Sequence, residues 1–248
     1  MNLLIDLGNS RLKWACAKGE NLQQAEALPH SEITSPILKK LWRDLQPQKI
    51  AISCVGKVEL LNVITAVARE LWGDISIHFA KSESQAFGVK NGYLQPEKLG
   101  VDRWLALCAV WQKTHSSTCI VDCGTAITVD VLNEKGEHQG GLICAGLSLM
   151  KNALATNTAD LPLANSAHEI GFATETQAAI FNGTLFAVCG LIEKTMQKLP
   201  ENTQLFLTGG DAKIIATQLE RPFILESNLV LQGLNATVNE IVTTRGVL

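Results

Sequence analysis

A short segment near the start of the chain combines residue types that can bind a phosphate group. Asp6, Gly8, Asn9, Ser10 and Lys13 fall within one stretch of eight positions. A tight glycine turn points backbone amides at an anion, a small hydroxyl and a lysine add donors, and an aspartate can face hydrated magnesium. Taken alone, the segment favours an ordinary hairpin turn over a phosphate loop, because Gly and Asn supply the backbone angles of such turns. The spacing does not match a Walker loop.

The same pattern occurs a second time in the other half of the chain. Asp122, Gly124 and Thr125 follow a buried apolar run, as Asp6 and Gly8 do. Two Asp-x-Gly hairpins, one in each half, can hold a triphosphate between them. The repetition therefore favours phosphate binding over a simple turn, and it predicts that the chain is internally duplicated.

A third glycine-containing turn lies close to the C-terminus. Residues 208–212, Thr-Gly-Gly-Asp-Ala, end a predicted strand and open a helix. Glycines there would let the backbone approach a nucleotide base or ribose closely, although an ordinary strand-to-helix turn has the same composition. Three such elements in this order resemble the nucleotide site of the actin, hexokinase and sugar-kinase superfamily.

Hydrophobic periodicity predicts the elements that must position these turns. Strands are predicted at 3–7, 12–16, 50–55, 75–79, 119–122, 126–132 and 205–207, with one more before Gly140, and helices at 35–45, 58–72, 99–113, 147–157, 175–198 and 229–243. Residues 82–97 are polar and contain Gly, Asn-Gly and Pro. We predict a long ordered loop there, of a kind that is often functional.

The motifs together resemble the type III pantothenate kinase family. In chain order they are Asp6-x-Gly-Asn-Ser-x-x-Lys13, Asn91-x-Tyr93-x-x-Pro96-x-x-Leu99-Gly100-Val101-Asp102-Arg103, Asp122-x-Gly-Thr-Ala, Gly140-Gly141-x-Ile143-x-x-Gly146, Thr176-x-x-Ala179-x-x-x-Gly183 and Thr208-Gly-Gly-Asp-Ala. The match covers nearly the whole chain. Ala145 departs from it, because the family usually has Pro before the last glycine of the Gly-Gly loop, and we expect a more flexible loop here.

The resemblance implies a fold and a reaction. The fold is α/β, with two duplicated ribonuclease-H-like (actin-like ATPase) domains and a central cleft. Residues 1–115 would carry the first phosphate loop, and residues 116–248 the second loop and the adenosine motif. The implied reaction is the ATP-dependent phosphorylation of pantothenate to 4'-phosphopantothenate, which opens coenzyme A synthesis. The resemblance also implies magnesium, a monovalent cation (potassium or ammonium) and a homodimer.

The resemblance further assigns roles to individual residues. ATP would be bound by Asp6, Gly8, Asn9, Ser10, Lys13 and Thr125, and pantothenate by Tyr93, Gly100, Val101, Asp102, Arg103 and Thr176. Asp122 would bind the monovalent cation, and Asp102 would accept the proton of the substrate hydroxyl.

Elementary chemistry agrees with the role of Asp102, and it leaves alternatives open for its neighbours. Phosphoryl transfer needs a carboxylate beside the acceptor hydroxyl, and a helix N-terminus keeps that carboxylate ionised. Arg103 could bind the pantothenate carboxylate through two parallel hydrogen bonds. Without the flanking motif, Asp102 and Arg103 would be a solvated surface pair. Tyr93 could equally anchor a loop, and Thr176 could be a plain helix residue.

The composition of the chain argues against a nucleic-acid-binding, a membrane-spanning and a secreted protein. With 21 Lys+Arg against 24 Asp+Glu and no run of like charges, the chain does not resemble a nucleic-acid binder. No uninterrupted apolar stretch approaches the roughly 18 residues of a membrane span, and the apolar start stops at an aspartate, unlike a secretory signal. The 7 cysteines lack a C-x-x-C pair, so we interpret them as buried hydrophobes of a cytoplasmic protein.

The five histidines are expected to be structural or surface residues, since none lies in a motif or in metal-helix spacing. Two other functions stay open at this point. One is a superfamily kinase for another small alcohol, against which the segment from Asn91 to Arg103 argues. The other is a non-catalytic nucleotide-binding regulator.

Overall fold

The computed structural model describes residues 1–245, and of residues 240–245 only the backbone. The chain forms two compact units. The first contains Met1–Thr114 and the segment that starts at Asn228, and the second contains His115–Ser227. Each combines a mixed β-sheet with helices, so the predicted α/β class is confirmed.

The first unit is built around a sheet in the order β3-β2-β1-β5-β6, with β4 also paired to β2. Its elements are β1 (Asn2–Leu7), β2 (Arg11–Lys18), β3 (Asn21–Leu22), β4 (Glu26–Pro29), α1 (Ser35–Trp42), β5 (Lys49–Cys54), α2 (Val58–Trp72), β6 (Ser76–Phe79), β7 (Gln85–Ala86), β8 (Val89–Lys90) and α3 (Val101–Thr114). The short pair β7-β8 is separate from the sheet, and single 3₁₀ turns lie at His30–Glu32 and Pro96–Lys98.

The second unit has a sheet in the order β11-β10-β9-β12-β13. Its elements are β9 (Thr118–Cys123), β10 (Ala126–Leu132), β11 (His138–Ala145), α4 (Leu147–Asn157), α5 (Thr176–Met196), β12 (Gln204–Thr208), α6 (Ala212–Ala216) and β13 (Ile224–Leu225). The last helix, α7 (Leu229–Arg245), belongs to the first unit.

The two sheets share one topology. In each unit an antiparallel hairpin, β1-β2 or β9-β10, is followed by a strand parallel to its first member, β5 or β12. A further parallel strand then extends the sheet, β6 in the first unit and β13 in the second. The internal duplication predicted from the two Asp-x-Gly motifs is therefore present in the strand pairing.

Both faces of the first sheet are covered, because alternate residues of its strands point to opposite sides. Leu3, Ile5 and Ile50 lie in one cluster with Leu38 of α1 and Ile64 of α2. The opposite face, which includes Leu4 and Ala51, packs against α3 and α7.

The core of the second unit depends on α5, whose Leu185, Val188 and Ile192 pack with strand residues such as Val121 and Leu207. Among the described residues, α5 is the one helix long and apolar enough to cross a membrane by length and composition. A buried core helix has the same composition, and the packing of α5 accounts for its apolar character.

The C-terminal helix differs from the sequence-based assignment, which placed it in the second domain. Leu231, Leu234 and Val238 share a buried cluster with Leu4 and Leu105, both of the first unit. The apolar stripe of α7 therefore completes the core of the first unit. The predicted end of the first domain, residue 115, lies one position after the division at Thr114.

The cysteines follow the prediction with one clear exception. The thiols are free, and Cys16, Cys108, Cys119, Cys123 and Cys189 are buried. Burial raises the pKa of Cys119 to about 12, which makes it a small hydrophobe rather than a nucleophile. Cys144 is exposed, because it lies near the end of the edge strand β11, where residues on both faces of the strand are exposed.

Gly233 of α7 lies directly against the backbone of α3. A Cβ atom at Gly233 would lie 2.3 Å from the backbone oxygen of Leu105. We expect Gly233→Ala to lower stability by about 1–3 kcal/mol, because a rigid backbone atom must move. Thermal unfolding measures the loss. The matched control is Gly190→Ala in α5, where a Cβ meets nothing within 4 Å, and there we expect unchanged or slightly raised stability. Equal melting temperatures for the two variants would contradict the close contact.

Candidate active site

The first motif forms the tight turn between β1 and β2. The Gly8 N–H donates to the Arg11 carbonyl at 3.1 Å, which leaves Asn9 and Ser10 exposed at the tip. The strands set the geometry of the turn, since Leu7 and Leu12 form the last pair of the β1-β2 ladder. Amides and a hydroxyl at an exposed tip are the donors that a phosphate group requires.

A row of polar residues crosses the sheet beside this turn. Asp6 is paired with Lys13 of β2 and with Ser53 of β5, so the three side chains occupy the same face. Asp6 is 7% exposed and Ser53 is fully buried. Within the described residues the Ser53 hydroxyl has no hydrogen-bond partner. The row places a lysine charge and a hydroxyl on either side of the carboxylate.

His30 and Gly56 contact the backbone of the turn between β1 and β2. The His30 ring nitrogen Nε2 lies 3.1 Å from the Gly8 carbonyl oxygen, and the His30 backbone N–H donates to the Ser10 carbonyl at 3.1 Å. Since a carbonyl only accepts, Nε2 carries the hydrogen. Gly56, just after β5, approaches so closely that a Cβ would lie 2.5 Å from the Gly8 oxygen. His30 lies outside the motif and has a structural role, as predicted, but that role is to support the first glycine turn.

The second motif forms the turn between β9 and β10. The Gly124 N–H donates to the Ala126 carbonyl at 3.2 Å, and Thr125 is exposed at the tip. The Gly146 N–H donates to the Thr125 carbonyl at 3.0 Å. Gly146 immediately precedes α4, and a Cβ on it would lie 2.2 Å from the Gly124 oxygen. The backbone at the start of α4 therefore packs directly against the turn.

The second unit repeats the polar row of the first. Asp122 is paired with Thr128 of β10 and Thr208 of β12, in the positions that Lys13 and Ser53 occupy around Asp6. Thr208 begins the third motif, so the structure brings the second and third motifs together on neighbouring strands.

The third motif packs directly against the second. Gly209 has φ +94°, and a Cβ there would lie 2.5 Å from the Cys123 backbone. The Asp211 N–H donates to the Cys123 carbonyl at 2.9 Å. Burial, and then the nearby Asp122 and Asp211 carboxylates, raise the pKa of the Cys123 thiol. Two acidic side chains therefore lie near one glycine turn.

The motif at the start of α3 forms a compact polar group. The Trp104 N–H donates to the Gly100 carbonyl at 3.0 Å, so the helix begins there and Asp102 lies in its first turn. The Asp102 Oδ1 accepts the Arg103 N–H at 2.8 Å. Arg103 is 7% exposed, and its Nη1 donates to the Tyr93 hydroxyl at 2.7 Å. Asp102 and Arg103 are thus not a solvated surface pair.

A Cβ at position 100 would lie 2.5 Å from Asp102 Oδ1, so a side chain there would displace the Asp102 carboxylate. Val101 is the first residue of α3 and is partly buried. Thr176 begins α5 in the second unit and is exposed. Ala145, the departure from the family pattern, is exposed at the end of β11.

Within residues 1–245 no three His, Cys, Asp or Glu side chains are grouped as a metal cluster. Asp6 places one carboxylate beside the first glycine turn, and Asp122 and Asp211 place two near the second. Such a site suits magnesium, which keeps several waters and is held by one or two carboxylates plus substrate phosphates. It would not suit zinc, which needs several protein ligands.

Comparison with known proteins identifies the family. Residues 2–198 match the sequence model of the type III pantothenate kinases. The chain belongs to this family. A type III pantothenate kinase of Nitrosococcus oceani is 35% identical, with 94% of this chain and 92% of the relative covered. One of Chromobacterium violaceum is also 35% identical, with 96% and 100% covered.

Solved structures confirm the fold class of this type III pantothenate kinase family member. A putative 2-dehydro-3-deoxygalactonokinase of Sinorhizobium meliloti matches with TM-score 0.55 and 14% identity, covering 97% of this chain and 99% of its own. A putative Baf family transcriptional activator of Campylobacter jejuni matches with TM-score 0.62 and 20% identity, covering 97% and 99%. At these identities the likeness shows the fold alone, which is the two-domain ribonuclease-H-like fold.

Sequence patterns did not point to His30, Ser53 or Gly56. Superposing the two halves of this family member would have identified Ser53 and Gly56. Ser53 corresponds to Thr208, because each is paired with the aspartate of its unit. Gly56 and Gly209 each follow the strand that runs parallel to the Asp-bearing strand. His30 carries no such signal. It reaches the turn because β4 pairs with β2, and this short strand was not predicted.

His30 provides a test of the first turn as a phosphate site. We expect His30→Ala to weaken binding of a non-hydrolysable ATP analogue by roughly threefold to tenfold, the worth of one neutral hydrogen bond. The Gln amide nitrogen can replace Nε2, so His30→Gln should bind nearly as wild type, whereas His30→Asn, which is too short, should resemble His30→Ala. Titration calorimetry measures all three. Equal affinity of His30→Ala and wild type would contradict the support role.

Proposed function

We propose that the protein transfers the γ-phosphoryl group of ATP to the hydroxyl of pantothenate, giving 4'-phosphopantothenate and ADP, as the first step of coenzyme A synthesis. The family shown by the comparisons supports this proposal. Free thiols fit a cytoplasmic location for the reaction.

One observation carries the proposal: a carboxylate, a guanidinium and a phenol are held together at the start of α3. Asp102 in the first helical turn is positioned to accept the proton of the attacking hydroxyl, and the helix dipole favours its ionised form. Arg103 offers N–H groups for the pantothenate carboxylate. Tyr93, Gly100, Val101 and Thr176 complete the proposed pantothenate-binding set.

We assign the ATP phosphates to the two glycine turns. Gly8, Asn9 and Ser10 provide amides and a hydroxyl at the first turn, and Thr125 provides the same groups at the second. Lys13 adds a positive charge beside Asp6. Because phosphoryl transfer depends mostly on positioning and charge, these donors would stabilise the transferring group without entering the covalent chemistry.

The proposal includes two cations. Asp6 would hold hydrated magnesium on the ATP phosphates, and Asp122 a monovalent cation, potassium or ammonium. These ions would neutralise phosphate charge. Both carboxylates border a glycine turn, which is the observation that fits them to this role.

We also propose that the protein acts as a homodimer whose pantothenate sites use residues of both chains, with Asp102 from one chain and Thr176 from the other. Exposed apolar side chains support a protein interface on the second unit, among them Leu142 and Ile143 on the edge strand β11 and Phe186 on α5.

The test of function is ADP release in the presence of ATP, magnesium, potassium and pantothenate. We expect Asp102→Asn to lower kcat by about 10²- to 10⁴-fold, because the proton acceptor is lost, while affinity for an ATP analogue is kept. Asp74→Asn, an exposed carboxylate change in the same unit, is the matched control and should keep full activity. A variant at position 102 that retains more than a tenth of wild-type activity would contradict the role of Asp102. Turnover by wild type with another alcohol but not with pantothenate would contradict the substrate.

The monovalent cation is tested through Asp122. Wild type should be faster in potassium or ammonium chloride than in sodium chloride at equal ionic strength. Asp122→Asn should raise KM for ATP and reduce the response to potassium, since the site loses its charge. Equal wild-type rates in potassium-free buffer would exclude the cation site.

A further inference from the structure

Residues 82–100 form a segment fixed by its own hydrogen bonds. The Ser82 hydroxyl donates to the Leu99 carbonyl at 2.7 Å and closes the two ends of the segment. Between them the β7-β8 pair turns at Phe87 and Gly88, both with positive φ, 53° and 79°. Gly88 lies against the Trp111 indole of α3, where a Cβ would come within 2.7 Å of Nε1. The segment is thus docked on the helix that carries Asp102 and Arg103.

Asn91 lies at the centre of this segment, and both the nitrogen and the oxygen of its side-chain amide form hydrogen bonds. It is 8% exposed. Its Nδ2 donates to the Glu83 carbonyl at 3.0 Å and to the Pro96 carbonyl at 3.2 Å, while its backbone N–H donates to the Ser84 carbonyl at 2.9 Å. One side chain therefore joins the two arms of the segment.

The remaining atom of the amide points to Tyr93. Asn91 Oδ1 accepts the Tyr93 backbone N–H at 3.0 Å. The Tyr93 hydroxyl in turn accepts from Arg103 Nη1, and the guanidinium carbon lies 5.5 Å from the centre of the tyrosine ring. Arg103 is nearly buried, so its orientation is set by these contacts rather than by solvent. A continuous chain of contacts runs from the Asn91 amide to the Arg103 guanidinium.

We propose that Asn91 is a positioning residue for recognition of the acceptor substrate: it fixes Tyr93, and Tyr93 directs Arg103 toward the substrate carboxylate. The inference rests on the proposed function, because it assumes that Arg103 binds a carboxylate. Asn91 thereby sets selectivity for an anionic acceptor over a neutral one, although it does not touch the substrate. Its hydrogen-bonding groups are already used within the segment.

Tyr93 is the only tyrosine of the chain, which allows its position to be measured without any substrate. Protein labelled with 3-fluorotyrosine should give a single fluorine-19 resonance, displaced from that of the denatured protein. We expect Asn91→Ala to move this resonance toward the denatured position. Asn133→Ala is the matched control, since Asn133 makes similar bonds to Lys135, Glu137 and its side chain in another loop. It should leave the resonance unchanged.

The second measurement compares two acceptors, pantothenate and pantothenol, in which an alcohol replaces the carboxylate. Wild type should prefer pantothenate in kcat/KM, and Asn91→Ala should reduce that preference by roughly tenfold or more, the worth of a charge-assisted hydrogen bond. The loss should appear in KM for pantothenate, with KM for ATP unchanged. A general loss of structure would lower kcat/KM for both acceptors by the same factor and would not change the ratio of the two values.

A conservative variant covers the case in which Asn91→Ala does not fold. The hydroxyl of Asn91→Ser can accept the Tyr93 N–H as the amide oxygen does, but more weakly. It should give a resonance and a selectivity between those of wild type and Ala. An unmoved resonance together with unchanged selectivity in either folded variant overturns the inference.

The two proposals fail in distinguishable ways. If wild type does not phosphorylate pantothenate, the proposed function fails, while the fluorine resonance still reports whether Asn91 fixes Tyr93. If wild type is active, but the Asn91 variants keep its acceptor selectivity and its fluorine resonance, the proposed function stands and the positioning role is wrong.

Discussion

Each phosphate-loop candidate depends on a close approach of two backbone segments that only glycine permits. Gly56 reaches the Gly8 carbonyl in the first unit, and Gly209 reaches the Cys123 backbone in the second. Both glycines follow a strand that runs parallel to the Asp-bearing strand, so the parallel pairing brings them there. A side chain at either position would push the turn out of place. The exposed donors at the turn tips are therefore held in place by backbone contacts from a neighbouring segment.

The duplicated topology explains why the polar residues form equivalent rows. In each unit an aspartate occupies the middle strand, with a hydroxyl residue on the parallel neighbour and a polar residue on the hairpin partner. The rows differ in charge, since Lys13 in the first unit corresponds to Thr128 in the second. A lysine beside Asp6 and a neutral threonine beside Asp122 give the two carboxylates different electrostatic surroundings. That difference supports the proposal that the two positions hold different cations.

Sequence patterns predicted most of the fold because its signals are local. The strand at residues 119–122, the glycine turn after it and the helix at 147–157 each follow from periodicity and turn chemistry. Long-range placement was not predictable. The apolar stripe of α7 fits any apolar surface, and nothing local shows that it packs with Leu4 and Leu105 of the first unit. The same limit applied to His30, which is brought to Gly8 by a four-residue strand, and to Asn91, whose partners lie up to eight residues away. The roles expected for the site residues came from the resemblance to the family, since the geometry of one unit does not reveal which ligand it holds.

The return of α7 to the first unit has a consequence for biosynthesis. Leu231 and Leu234 are part of a core that also contains Leu4, Ala15 and Ala51, so that core stays incomplete until the ribosome has released the C-terminal helix. The second unit is continuous in sequence and can close its core earlier, although its residues are translated later than most of the first. The first unit therefore cannot complete its core before the second unit is synthesised, in contrast to the usual order in which the N-terminal domain folds first. Until α7 emerges, α3 alone covers that face of the N-terminal sheet, and the apolar residues that α7 would bury favour aggregation of the nascent chain.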